Sequence, residues 1–277
     1  MKVLISVDAE GITGIHKLMQ VLPEGKDYGL LRKMMVHDVN AAIQGAVQAG
    51  ATEFIVNDCH SHGDNMVITD LDPRAILYSG FHKPYWMAGG VEKDVDALML
   101  IGYHSRKGAR GTISHTIYYN AVWEATVNGV PFGEADFVAY AAGYFGIPTI
   151  LLTGDDCVTA YAKEQMPGIH TVTVKEAVKN GAALLYHPDK TGPAIAEEAR
   201  LAVADYQKIS PLKLDGPLKL ELTFSCATQA ELAARISGFY ISEDRENKVV
   251  YTSEDYMELY EAFVDAINMA GIFHDQD

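Results

Sequence analysis

Val3-Leu-Ile-Ser-Val-Asp-Ala-Glu-Gly11 decides how the chain is read: an apolar run that ends in two carboxylates and a glycine. Aliphatic residues without polar alternation form a strand buried on both faces, as in a parallel α/β sheet. Asp8 and Glu10 sit two apart. If the backbone stays extended through them, their side chains point to the same side. Two carboxylates at the end of a buried strand repel and lose hydration, so they are expected to share a proton, pair with cations or bind metal. Gly11 lets the chain turn away, and ligand sites in open α/β sheets lie at the carboxyl ends of strands.

The rest of the chain repeats that pattern. Met34, Met35, Val39, Ile43, Ala46 and Val47 recur at helical spacing between Leu30 and Ala49, with Gly50 as the stop. Thr52-Glu-Phe-Ile-Val56 is the next buried strand, completing a βαβ unit, and it ends in Asn57-Asp-Cys-His-Ser-His-Gly-Asp64. Parallel strands put His60 on the same sheet edge as Asp8 and Glu10. His16 and His62 read as solvated loop residues. A stretch broken by Pro73, Gly80, Pro84 and Gly89-Gly90 follows, in which Tyr85-Trp-Met87 packs over the sheet edge. Asp96-Ala-Leu-Met-Leu-Ile-Gly-Tyr103 is a third buried strand, closed by His104-Ser-Arg106. Three strand ends carrying metal-ligand chemistry in the same structural position favour a functional site.

Beyond it, Gly108 to Gly111 is a basic loop, and His115 lies in the small-residue segment after it. Glu124-Ala-Thr-Val-Asn-Gly129 has the alternation and Asn-Gly turn of a hairpin strand that returns the chain to the sheet. Glu134 opens a helix running to Tyr144, where an acid also complements the helix dipole. Pro148-Thr-Ile-Leu-Leu-Thr153 is a fourth buried strand, followed by a helix through Ala162. A short strand at Val172 to Val174 and a helix from Lys175 to Leu185 are predicted next. After residue 190 come a helix to Gln207, an alternating strand Leu218 to Phe224, a helix at 228–235, a strand pair near 239–241 and 249–251, and a final helix from Ser253 to Ala270. The predicted fold is α/β, a mostly parallel sheet flanked by helices over residues 1–190, with a smaller α+β C-terminal domain over 191–277.

Composition sets bounds. The 277 residues, 48% hydrophobic and 21% charged, can bury a large core. A net charge of -15 without a Lys/Arg cluster argues against nucleic-acid binding. Cys59, Cys157 and Cys226 are an odd set without CxxC spacing, which fits a reducing compartment. The opening apolar run is too short for a secretory or membrane segment, so a cytoplasmic location without membrane association is expected.

Asp8, Glu10, His60, His104 and Glu134 form a mixed oxygen and nitrogen donor set without a thiolate. Such a set suits Zn²⁺ or a comparable divalent ion in a hydrolytic site, and five ligands exceed one tetrahedral site but suffice for two ions sharing a carboxylate. Ser6-Val-Asp-Ala-Glu-Gly11, Val56-Asn-Asp-Cys-His-Ser61, Leu100-Ile-Gly-Tyr-His104, Ser114-His115 and Gly133-Glu134 occur in the order and near the spacing found in the M55 peptidases, the D-aminopeptidase family, which the chain resembles over nearly its whole length. The resemblance implies a zinc-dependent aminopeptidase releasing N-terminal D-amino acids from short peptides. Asp8 would bridge two zinc ions per subunit, Glu10 and His104 would complete one, and His60 and Glu134 the other, with His115 as the catalytic histidine. It also implies a homodecamer ring of two stacked pentamers. The donor set by itself would equally serve a two-metal phosphoesterase or amidohydrolase, or a metal-binding assembly protein without turnover.

Overall fold

The computed structural model describes residues 1–274. The run that opens the chain becomes β1, Lys2–Val7, and occupies the middle of a seven-stranded sheet. On one side it pairs in parallel with β2, Glu53–Asp58, and β2 with β3, Ala75–Tyr78. On the other side it pairs in parallel with β4, Ala97–Ile101, followed by β7, Thr149–Asp155, β8, His170–Lys179, and an antiparallel edge strand β9, Ala182–Leu185. The sheet order β3-β2-β1-β4-β7-β8-β9 reverses direction of travel at β1, so the loops leaving β1 and β4 diverge and open a crevice at their carboxyl ends.

Alternation along β1 sorts its side chains to two cores. Val3, Ile5 and Val7 pack against α2, Tyr28–Gln48, and α5, Pro188–Asp205, whereas Leu4 faces a second core shared with α3, Glu134–Tyr144, and α7, Tyr256–His274. A short helix α1, Leu18–Val21, sits in the loop after β1, and α4, Asp156–Gln165, follows β7. The second sheet is antiparallel, in the order β11-β12-β10-β5-β6. Its strands are β5, Val122–Val127, β6, Val130–Pro131, β10, Leu218–Phe224, β11, Tyr240–Ser242, and β12, Arg245–Ser253, with α6, Ala227–Ala233, and α7 against it.

The α/β class, with a mostly parallel sheet, helices on its faces and a smaller antiparallel α+β part, is the predicted one. Two local expectations differ. The predicted helix from Lys175 to Leu185 is a hairpin, β8 continuing to Lys179 and β9 returning from Ala182, with Asn180-Gly181 at its tip. Asn-Gly is a hairpin signal, and it outweighed the helix-forming Lys, Glu and Ala around it. The hairpin of β5 and β6 leaves the first sheet and pairs β5 with β10, so it does not return to its starting sheet. Residue 190 is crossed in both directions: α5 begins before it and packs on α2 of the first sheet, while β5, far upstream of it, lies in the second sheet. The broken stretch after Asp64 also contains an edge strand, β3, that its turn residues concealed.

Two glycines bring the ends of β1 and β4 together. A Cβ on Gly11 would lie 2.0 Å from the Tyr103 carbonyl oxygen, and one on Gly102, which has φ +79°, would lie 2.4 Å from the Asp8 carbonyl. Gly11 is thus required for close approach rather than for a left-handed turn, and its N–H donates to the Gly102 carbonyl at 2.7 Å. Gly11→Ala forces backbone against backbone, and the expected destabilisation is about 3 kcal/mol, read as a lowered denaturation midpoint.

Candidate metal centre

The structure brings all six predicted residues to the crevice. Asp8 and Glu10 follow β1, His60 follows β2, His104 follows β4, His115 lies in the loop between β4 and β5, and Glu134 is the first residue of α3. All but His60 are buried, and His60 is only partly exposed. The two oxygens of Asp8 face different imidazoles: Oδ1 lies 3.4 Å from His60 Nδ1, and Oδ2 lies 3.3 Å from His104 Nε2. His60 Nδ1 is also 3.3 Å from Glu10 Oε2, and His104 Nε2 is 3.3 Å from Glu134 Oε2. Asp8 is therefore the middle of the cluster. His115 Nε2 lies 3.9 Å from Glu10 Oε1, and its ring stacks on His104 with centroids 4.3 Å apart and planes within 5°.

Each imidazole is anchored by a main-chain carbonyl on the nitrogen that points away from the cluster. His60 Nε2 lies 3.0 Å from the Val21 carbonyl, His104 Nδ1 3.0 Å from that of Ser105, and His115 Nδ1 2.8 Å from that of Ile113. A carbonyl only accepts, so the proton sits on those nitrogens, and the opposite nitrogen presents a lone pair to the cluster unless it is protonated as well. Lone pairs of imidazoles and carboxylates facing one another at 3.3 Å require a cation between them. Asp8 Oδ2, Glu10 Oε2 and His104 Nε2 are buried, and none has a hydrogen bond of proper direction despite these distances. Without a metal ion the missing cation is a proton. Burial pulls the imidazolium forms of His60 and His104 down, but Glu10 and Asp8 around His60, and Glu134 and Asp8 around His104, hold both well above the usual histidine range. Burial raises Asp8 and Glu10, yet the neighbouring imidazoles leave both below the usual carboxylate range.

Such orphaned donors, oriented by outer carbonyls, fit a divalent ion held by oxygen and nitrogen. Asp8, Glu10 and His104 have donor atoms within 4.8 Å of one another, as do His104, His115 and Glu134. Cys59 adds no thiolate. It is buried, its Sγ donates to the Val7 carbonyl at 3.0 Å, and burial keeps the thiol well above its usual range.

The loop bearing His115 is held in an uncommon conformation. Ile113 has φ +53° and Ile117 φ +58°, which is unfavourable for β-branched residues. Ile113 N–H donates to the Asn180 carbonyl, and Ile117 N–H to Glu134 Oε1 at 2.6 Å, so Glu134, whose other oxygen faces His104, also fixes the histidine loop. The carboxylates form the floor of a cavity of about 440 Å³ whose walls include Val21, Leu22, Phe81, Trp86, Met87 and Tyr119. His62 lines its rim and is exposed, as expected of a solvated residue, and His16 is outside the lining.

Two buried lysines that sequence reading passed over hold the loops beside the cluster. Lys175 is fully buried on β8 and donates from Nζ to the carbonyls of Glu10 at 2.5 Å, Ile12 at 3.0 Å and Ile15 at 2.6 Å. Lys83 does the same behind β2, donating to the carbonyls of Asp58 and Tyr78. A lysine in a loop or strand gives no sequence signal that distinguishes this role from a solvated one.

The chain matches the family model for the M55 peptidases, described as D-aminopeptidase, over residues 1–264. It is 32% identical over 264 residues to the D-aminopeptidase of Bacillus subtilis strain 168, covering 95% of this chain and 96% of that one. A solved structure, the Zn-dependent D-aminopeptidase DppA from Bacillus subtilis, described as a self-compartmentalizing protease, superposes with a TM-score of 0.94 at 31% identity over 98% of both chains. A match over nearly the full length in sequence and in fold places the chain in the M55 peptidase family of D-aminopeptidases.

Proposed function

We propose that this metallo-aminopeptidase uses two zinc ions per subunit to release N-terminal D-amino acids from short peptides. The observation that carries the reading is Asp8, whose two oxygens face separate imidazoles and so can be shared between two ions. By the family resemblance Glu10 and His104 would complete one ion and His60 and Glu134 the other; the donor atoms of Asp8, Glu10 and His104 lie within 4.8 Å of one another, in keeping with the first set, whereas the 3.3 Å approaches join His60 to Glu10 and His104 to Glu134 and favour Glu10 with His60 on one ion and Glu134 with His104 on the other. When bound, the ions polarise the scissile carbonyl and lower the pKa of water.

The chain's own groups supply the rest. His115 is fixed with Nδ1 donating to Ile113, so Nε2 is free to accept a proton from the attacking water and return it to the leaving amine. The carboxylates attract the free amino terminus of a peptide. Phe81, Trp86, Met87 and Leu22 exclude water from one side of the cavity.

A further part of the proposal is assembly. The relative DppA is described as self-compartmentalizing, which supports a homo-oligomer here and, by the family resemblance, a homodecamer ring. Light scattering of active enzyme is expected to give the mass of ten subunits, and a monomer mass would refute the ring. Free cysteines are compatible with a cytoplasmic location, and among the described residues no helix is long and apolar enough to cross a membrane.

The test of activity is a panel of free D- and L-dipeptides alongside p-nitrophenyl phosphate, with and without added Zn²⁺. Zinc-dependent cleavage of D-dipeptides is expected. Phosphate-ester cleavage alone would assign a phosphoesterase, and no turnover a binding protein. Elemental analysis of active, desalted enzyme is expected to find two divalent ions per subunit, and one ion would remove the bridging role from Asp8.

A further inference from the structure

Lys175 has no exposed surface, and its neighbours Val174, Ile12 and Ile15 are apolar. A buried ammonium is normally paired with a carboxylate. Among the described residues no carboxylate lies within ion-pair distance of Lys175. Its three N–H donors are instead all used on three carbonyls of one loop, those of Glu10, Ile12 and Ile15. The carbonyls of Glu10 and Ile15 accept no main-chain N–H from the described residues. They converge on one point, where their dipoles repel unless a cation sits among them.

The loop has little else to shape it. It lacks regular secondary structure up to α1, and its other hydrogen bonds are Gly11 N–H to the Gly102 carbonyl, two turns from Ile12 N–H to the Ala9 carbonyl and from Ile15 N–H to the Ile12 carbonyl, Thr13 N–H to Asp38 Oδ2 at 2.9 Å, the Thr13 hydroxyl to the Thr191 hydroxyl at 3.0 Å, and His16 N–H to Gln20 Oε1. Of these ties, only Lys175 grips the residue that carries the Glu10 carboxylate. It also links β8, three strands away in the sheet, to the end of β1.

We infer that Lys175 is a positioning residue for the metal centre: its ammonium organises the carbonyls of the Glu10 loop and thereby sets the Glu10 carboxylate against the ions. The inference rests on the two-ion reading for its effect on metal, but its effect on the loop is independent of it. Without the ammonium the three carbonyls separate, and Glu10 leaves its place 3.3 Å from His60 Nδ1.

The experiment uses the zinc-loaded enzyme and its Lys175→Met variant, in which a chain of similar length and no charge fills the space. Chelator competition is expected to show one zinc ion bound about 10- to 100-fold more weakly, the range for loss of an outer partner of a ligand. Hydrogen exchange in residues 10–16 is expected to accelerate in the metal-free variant relative to metal-free wild type. In a Glu10→Gln background the effect of Lys175→Met on zinc affinity is expected to vanish, because the two act through one carboxylate. Unchanged zinc affinity overturns the inference, as does a loss of the same size in the Glu10→Gln background, which would mark a general structural role. If the methionine variant does not fold, Lys175→Gln, which retains an N–H donor, is read by the same three measurements. Wild-type enzyme that binds no zinc would refute the metal-centre reading alone, and the exchange of residues 10–16 would still decide the role of Lys175.

Discussion

Asp8→Asn is expected to cost more activity than any other single substitution in the cluster. Both carboxylate oxygens face imidazoles, so replacing one with an amide N–H₂ puts a donor where an ion should be coordinated and weakens both metal positions together. Losing an outer partner of a ligand costs about 10- to 100-fold in metal affinity, and removal of a shared ligand should exceed that at each position. Activity should fall by more than about 10³-fold, with zinc content near zero after desalting. Glu10→Gln, by contrast, should weaken mainly one ion. The substitution removes a buried negative charge flanked by two histidines, so the folded metal-free protein should survive it. Zinc analysis, circular dichroism and kcat on one preparation check this, and retention of both ions by Asp8→Asn would show that the carboxylate does not bridge.

The second large effect is expected at His115. Its Nδ1 is committed to the Ile113 carbonyl, and its Nε2 looks toward Glu10 from a ring stacked on His104. Two accounts of this residue differ in their consequences. As the proton-transfer group it can be removed with the ions in place, and kcat of His115→Ala should fall about 10²- to 10⁴-fold with zinc content and melting temperature unchanged. As a third ligand beside His104 and Glu134, within whose reach it lies, its loss should lower zinc content and activity in proportion. The stacking on His104 favours the first account, because parallel stacked imidazoles at this distance place their nitrogens side by side rather than pointing at one ion from different directions. Near-normal kcat at full zinc occupancy would remove His115 from the chemistry altogether.

The acids and histidines of the cluster were legible in the sequence because they sit where the backbone pattern changes. Apolar runs without alternation give way to polar residues at Asp8, Asn57 and His104, and a parallel sheet is bound to bring such ends to one edge. What could not be read is whatever depends on distant partners. Lys175 sits in a stretch of Lys, Glu and Ala that reads as helix, and nothing within that stretch reveals three carbonyls waiting from the loop after β1. Lys83 was hidden among turn residues for the same reason. Asn180-Gly181 was the one local signal for the hairpin, and its Asn180 side chain goes on to accept Ser114 N–H beside His115. Gly11 was legible as a glycine needed near the acids, but its reason, the Tyr103 carbonyl standing where a Cβ would go, comes from the turn after β4 and exists only in the fold.

The way the chain passes between its two sheets determines what happens when it is cut. A fragment ending at residue 190 would lose most of α5, with its buried Ile195, Ala199, Ala202 and Val203, from its place on α2, baring the apolar face of α2. The complementary fragment would lose β5, exposing the whole hydrogen-bonding edge of β10 from Leu220 to Phe224. An uncovered edge invites pairing with other chains. Neither piece is therefore a self-sufficient unit, and mixing the two during refolding should yield more soluble material than either alone, since each carries the missing cover of the other.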